Sequence, residues 1–199
     1  MKLYSMRNVI IATALFFSSA NLTAFAGPFD KQNVSDVASI SKFQKVYIAP
    51  IGVELDEKNV RRNIRDIRSD RPVSDRDRER RAAETYKHMV RAFGKNYEIV
   101  DAPGADVLTV ETTITRMIST RPTLEDQRSL NIQIDFSSVY AGGADFKVRL
   151  SQGDTTFAEI EDRDQSTLND GRPRVGIWQD YTRASTRFSS KLARYVRKL

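Results

Sequence analysis

The chain has 199 residues, 32 Lys and Arg against 26 Asp and Glu for a formal charge of +6, and no cysteine. Without thiols there are no structural disulfides, no thiolate metal sites and no acyl anchor on a cysteine. A single histidine rules out a histidine metal cluster, and the length suits one domain with its own core.

The first 26 residues read as a secretory signal peptide. Lys2 and Arg7 give a positive start, an apolar run fills 9–17, and Ala24-Phe25-Ala26 offers small residues where a signal peptidase reads. The run is shorter than the roughly 20 residues that span a bilayer, and Ser18, Ser19, Asn21 and Thr23 follow it. Cleavage before Gly27 would leave 30 basic against 26 acidic residues, a charge of +4, and no transmembrane segment.

Residues 27–42 read as a polar leader, and residues 43–199 as a single domain. The first strand signal is 46–51, short, β-rich and ended by a proline, which reads as a buried strand. A dense mixed-charge run covers 56–81. Val60, Ile64 and Ile67 recur in it at helical spacing among Arg61, Arg62 and Arg65, and Pro72 then breaks the pattern. Ser74 is a good N-cap, with Asp75 and Asp77 at the positive end of the dipole. Ala82, Ala83, Tyr86, Met89, Val90 and Phe93 predict one apolar helix face, ended by Gly94.

Strand signals follow at 97–100, 107–118, 130–136, 146–150 and 155–160, with Gly142-Gly143 and Gln152-Gly153-Asp154 as turns and 162–176 as a polar loop. The last element is a long amphipathic helix. Ile177, Tyr181, Ala184, Phe188, Leu192, Tyr195 and Leu199 hold one face, and Arg183, Arg187, Lys191, Arg194, Arg197 and Lys198 the other. Together these elements predict an α+β two-layer sandwich, with a mostly antiparallel sheet of about five strands and two amphipathic helices on one face.

The order of elements resembles a domain-of-unknown-function family of bacterial envelope proteins, many of them predicted lipoproteins. The residues that carry the resemblance are Lys45-Val46-Tyr47-Ile48-Ala49-Pro50, then Phe93-Gly94, and then 97–108. Gly142-Gly143-Ala144, the strand containing Glu159 and Asp162, and the Trp178 helix complete it. The resemblance implies an α/β envelope domain and supplies no catalytic residue. The lipidated cysteine is missing here, which favours a periplasmic or secreted form.

Little in the sequence carries chemistry. His88 is expected partly exposed on a helix surface, and no G-x-S-x-G elbow accompanies it. Asp154, Glu159, Glu161, Asp162 and Asp164 cluster around one hairpin without a calcium-loop spacing, and Glu159 and Glu161 share a strand face as solvated acids do. Gly104 and Gly142-Gly143 lie between strands, outside any phosphate-loop context. No cofactor or metal is expected.

What remains is basic surface without interleaved aromatics, which argues against nucleic acid. The leading expectation is an exported, non-enzymatic protein that binds an envelope partner or anionic surface through Arg183, Arg187, Lys191 and Arg194, with Arg61, Arg62 and Arg65 as a second patch. One alternative is a hydrolase of envelope glycans or esters acting through Asp154, Glu159 and Asp162. The other is a structural subunit of an envelope assembly that self-associates.

Overall fold

The longest alternating run in the sequence becomes the central strand. The computed structural model describes residues 28–35, 37–55, 73–120, 142–166 and 176–199. Its elements in chain order are β1 (Lys31–Val34), α1 (Val37–Ile40), β2 (Lys45–Ile48), β3 (Gly52–Val53), α2 (Asp75–Phe93), β4 (Glu98–Val100), β5 (Val107–Ile118), β6 (Gly143–Gln152), β7 (Thr155–Gln165) and α3 (Gln179–Val196). The signal-peptide segment, the arginine run over 56–72 and the alternating segment 130–136 lie outside the described residues.

The α+β class holds, but the sheet is mixed and larger than expected. Seven strands run in the order β1-β7-β6-β5-β2-β4, with β3 beside β5. The β5–β6 and β6–β7 pairs are antiparallel, whereas β2 pairs parallel with both β4 and β5, and β3 parallel with β5. The parallel part follows from α2: a strand that passes through a helix and returns beside itself comes back in the same direction. Two strands exceed the expectation for local reasons. Pro50 separates β2 from β3, and the leader contributes β1, which pairs antiparallel with β7.

That leader is part of the fold rather than a polar tail. Phe29 and Ile40 are both buried in the core. The loop expected from residue 162 onward also gives way to strand, because β7 runs to Gln165 and pairs with β6 along its length. Glycine permits the close approach at the start of β6: a Cβ on Gly143 would lie 2.8 Å from Gln165 Cα. Gly153, at φ 52°, takes the left-handed turn between β6 and β7.

α3 packs over β6 and β7, and α2 over β2, β3 and β4, with the two helices against each other. α3 buries Tyr181, Ala184, Phe188 and Leu192 completely, as its stripe predicts. α2 is rotated relative to expectation. It buries Thr85, Met89, Ala92 and Phe93, while Tyr86 is exposed. The rotation turns Thr85 toward α3, where its hydroxyl lies 2.7 Å from Tyr181 Oη and 3.0 Å from Ser185 Oγ. Ser74 caps α2 by accepting from the Asp77 amide at 3.2 Å. Gly94 ends it in a right-handed conformation, and a Cβ there would lie 2.9 Å from the Val90 carbonyl oxygen, so close packing is what calls for glycine.

Candidate interaction surface

The two long helices run in the same direction. Arg81 of α2 lies by Trp178 and Tyr181 at the start of α3, Glu84 accepts from Thr182, and His88 meets Ser185. Asn96, just past α2, accepts from Arg197 at the end of α3. Both C-terminal ends therefore meet at one pole of the helical layer. Helix C-termini carry partial negative charge and attract basic side chains, and both ends supply them: Arg91 in α2 and Lys95 just past it, Arg194 in α3 and Arg197 and Lys198 just past it.

The four cations expected to form the binding face fall into two groups. Arg183 bridges Asp180, a fully buried carboxylate in the same helix turn, at 3.3 Å. Arg187 grips Asp164 of β7 in a bidentate pair, with its Nε 2.7 Å from one oxygen. Lys191 Nζ lies 2.6 Å from both oxygens of Asp162. Asp162 is 3% exposed, and burial raises its pKa against the lowering influence of the Lys191 ammonium. Lys191 also donates to the Pro28 carbonyl at 3.3 Å and sits 4.8 Å over the Phe29 ring. Arg183 is thus paired within α3, whereas Arg187 and Lys191 bind the helix to its own sheet, and Lys191 also holds the N-terminal segment. Only Arg194 of the four keeps its charge for solvent, its Nε donating to the Ser190 carbonyl. Arg61, Arg62 and Arg65 lie outside the described residues.

Sequence periodicity placed Arg187 and Lys191 on the polar side of α3 but gave no sign that β7 extends far enough to meet them. The same extension disperses the acids proposed for hydrolysis. Asp162 faces α3, Glu159 lies in the row of β7 opposite the buried residues, and Asp154 sits in the turn before β7. Glu161, beside Glu159 in that outer row, takes Lys31 at 2.8 Å and Lys147 at 3.4 Å, and the Lys31 hydrogen bond is the main reason its pKa falls. No group of three or more His, Cys, Asp and Glu suited to a metal ion occurs among the described residues.

His88 lies on α2 and is partly exposed, as expected, and it also has a partner. It is half-buried, its Nδ1 is 3.0 Å from Ser185 Oγ, and desolvation lowers its pKa. Ser185 is fully buried, which leaves its hydroxyl no approach for a substrate. The pair belongs to a polar seam running from His88 through Ser185 and Thr85 to Tyr181. The Tyr181 hydroxyl donates to the Arg81 carbonyl at 3.2 Å. Such a seam fixes the helix pair by leaving its buried hydroxyls no better partners.

The matched family is described as Protein of unknown function (DUF3313), and its model covers residues 19–167. The chain belongs to this family. No curated protein matches it. Among solved structures it resembles a PelC dodecamer from Paraburkholderia phytofirmans, with TM-score 0.44, 7% identity, and coverage of 82% of this chain and 95% of that one. A Xanthomonas campestris protein of family model DUF330 has TM-score 0.39 and 12% identity, covering 76% of this chain and 84% of the other. A hypothetical protein from Chlamydia trachomatis has TM-score 0.37 and 12% identity, with 78% and 92% covered.

Proposed function

We propose that this chain is an exported, non-enzymatic protein that associates with an anionic surface of the cell envelope through the shared C-terminal pole of its two long helices. One observation carries the reading. Arg91, Lys95, Arg194, Arg197 and Lys198 meet at that pole, and none has a carboxylate partner among the described residues. Cations without an internal carboxylate partner keep their field for an external anion, whereas a cation paired with an internal carboxylate contributes little beyond short range. Export is supported by the order of charge, apolar run and small residues over 1–26. No helix among the described residues is long and apolar enough to cross a membrane. The carboxylates of the hydrolase alternative point to different faces, which weakens that reading.

Co-sedimentation of the processed chain with isolated envelopes across a salt series tests the proposal. Wild type is expected to pellet at low salt and to release as salt rises. Reversal to Glu at Arg91, Lys95, Arg194, Arg197 and Lys198 is expected to abolish pelleting. Binding that survives both the salt and the reversal sinks the proposal. β4 pairs only with β2 among the described strands, leaving an open sheet edge. Concentration-dependent sedimentation of the protein alone would reveal self-association through such an edge.

A further inference from the structure

The segment that follows the expected cleavage bond is fastened to the domain along its length. Phe29 is 7% exposed and stands edge-on to Tyr195 at 5.2 Å and to Phe188 at 6.4 Å. The Pro28 carbonyl accepts from Lys191, and the Asp30 carboxylate accepts from the Arg163 amide at 2.6 Å. β1 then pairs with β7, Lys31 bridges Glu161, and the Ser35 amide donates to the Phe157 carbonyl at 2.8 Å. Nothing in the leader's polar composition announced this role.

Phe29 is only the third residue beyond the Ala26–Gly27 bond. Peptide segments are taken up by their binding clefts in extended form, with main chain and side chains both engaged. A folded protein is cut only as fast as the segment opens. We infer that residues 28–35 form a latch that closes after residues 1–26 have been removed, so that processing precedes the last step of folding. The cut itself is a hydrolysis by a membrane signal peptidase. Water adds across the Ala26–Gly27 peptide bond, leaving a carboxylate on Ala26 and an ammonium on Gly27. It needs Pro28 and Phe29 lifted from α3. A chain that latches first is protected from processing. This inference rests on the export reading, and the test separates the two.

The full chain in detergent micelles is treated with purified signal peptidase beside a peptide of residues 1–35. The peptide is expected to be cut at Ala26–Gly27, and the folded full chain roughly tenfold or more slowly. Tyr195→Ala removes the wall behind Phe29 without touching the sequence at the bond, and is expected to restore most of the lost rate with its circular dichroism unchanged. Phe29→Ser, compared with its own 1–35 peptide, is expected to do the same. A folded chain cut as fast as the peptide overturns the latch and leaves export standing. Variants that keep native spectra yet stay protected also overturn it. A peptide left intact at this bond removes the export reading, and the latch with it.

Discussion

The cationic side of α3 holds two regions that a helical wheel shows as one. From Arg183 to Lys191 each charge is answered by a carboxylate, Asp180, Asp164 or Asp162. From Arg194 to Lys198 none is, among the described residues. The contrast follows from what lies beneath. Residues 176–199 carry six basic groups and one acid, whereas 142–166 carry three basic groups and six acids. Where α3 crosses β7, Arg187 and Lys191 meet these acids, whereas among the described residues no carboxylate pairs with Arg194, Arg197 or Lys198. Basic residues within one helix can therefore hold the fold together in one turn and face outward in the next.

Breaking the compensated region should cost the most stability. Lys191→Met strands the buried Asp162 carboxylate and is expected to destabilise the domain by about 3 kcal/mol, read from urea unfolding. Water reaching the 30% exposed Lys191 site keeps the loss toward the lower end of the range for buried pairs. Adding Asp162→Leu should recover much of it, since an apolar pair often replaces a buried ion pair without loss. If Lys191→Met alone leaves the urea midpoint unchanged, the pair is not the tie proposed here. Arg187→Met should cost about 1 kcal/mol, because Arg187 is 42% exposed and solvent screens its pair with Asp164. Arg194→Met and Lys198→Met should each change stability by less than about 0.5 kcal/mol, while flattening the salt dependence of envelope binding. A large stability loss at either position would place it among the structural cations and dissolve the contrast.

How much of this was legible depends on whether the signal was local. The 107–118 strand, the Ser74 cap and the Tyr181-Ala184-Phe188-Leu192 stripe follow from periodicity and capping within one element, and the structure has all three. The parallel pairing of β2 with β4 and β5 was not legible, because period-two alternation is the same for either direction of pairing. Asp162 and Asp164 look like loop acids in a polar stretch. Only the partner strand β6, through Phe146 opposite Asp162 and Ala144 opposite Asp164, draws them into the sheet. The internal carboxylate partners of Arg187 and Lys191 depended on that non-local pairing, so they were hidden from the sequence for the same reason. Phe29 was hidden similarly: one aromatic in a polar leader has no periodicity, and its pocket is made by Phe188 and Tyr195 far along the chain.

The smallest effect concerns a charge that is conditional. His88 lies between the two long helices, facing Ser185 and Thr186 of α3, with Glu84 and Arg91 of its own helix nearby. Desolvation, the largest influence, and Arg91 lower its pKa below 6.5, while Glu84 pulls the other way. The unfolded chain therefore binds this proton at a pH where the folded chain does not yet bind it. Stability from this site is complete above the unfolded value near 6.5 and declines as pH falls through the window down to the lowered folded value. His88→Gln retains a hydrogen-bonding side chain toward Ser185 without a titrating group. The difference in urea midpoint between wild type and His88→Gln should thus shift against wild type on going from pH 7.5 to pH 5.5. The wild-type histidine resonance should titrate below its unfolded value. An unchanged midpoint difference with an unshifted resonance would make His88 a solvated surface group. It would also remove the seam as the reason α2 and α3 lie in parallel register.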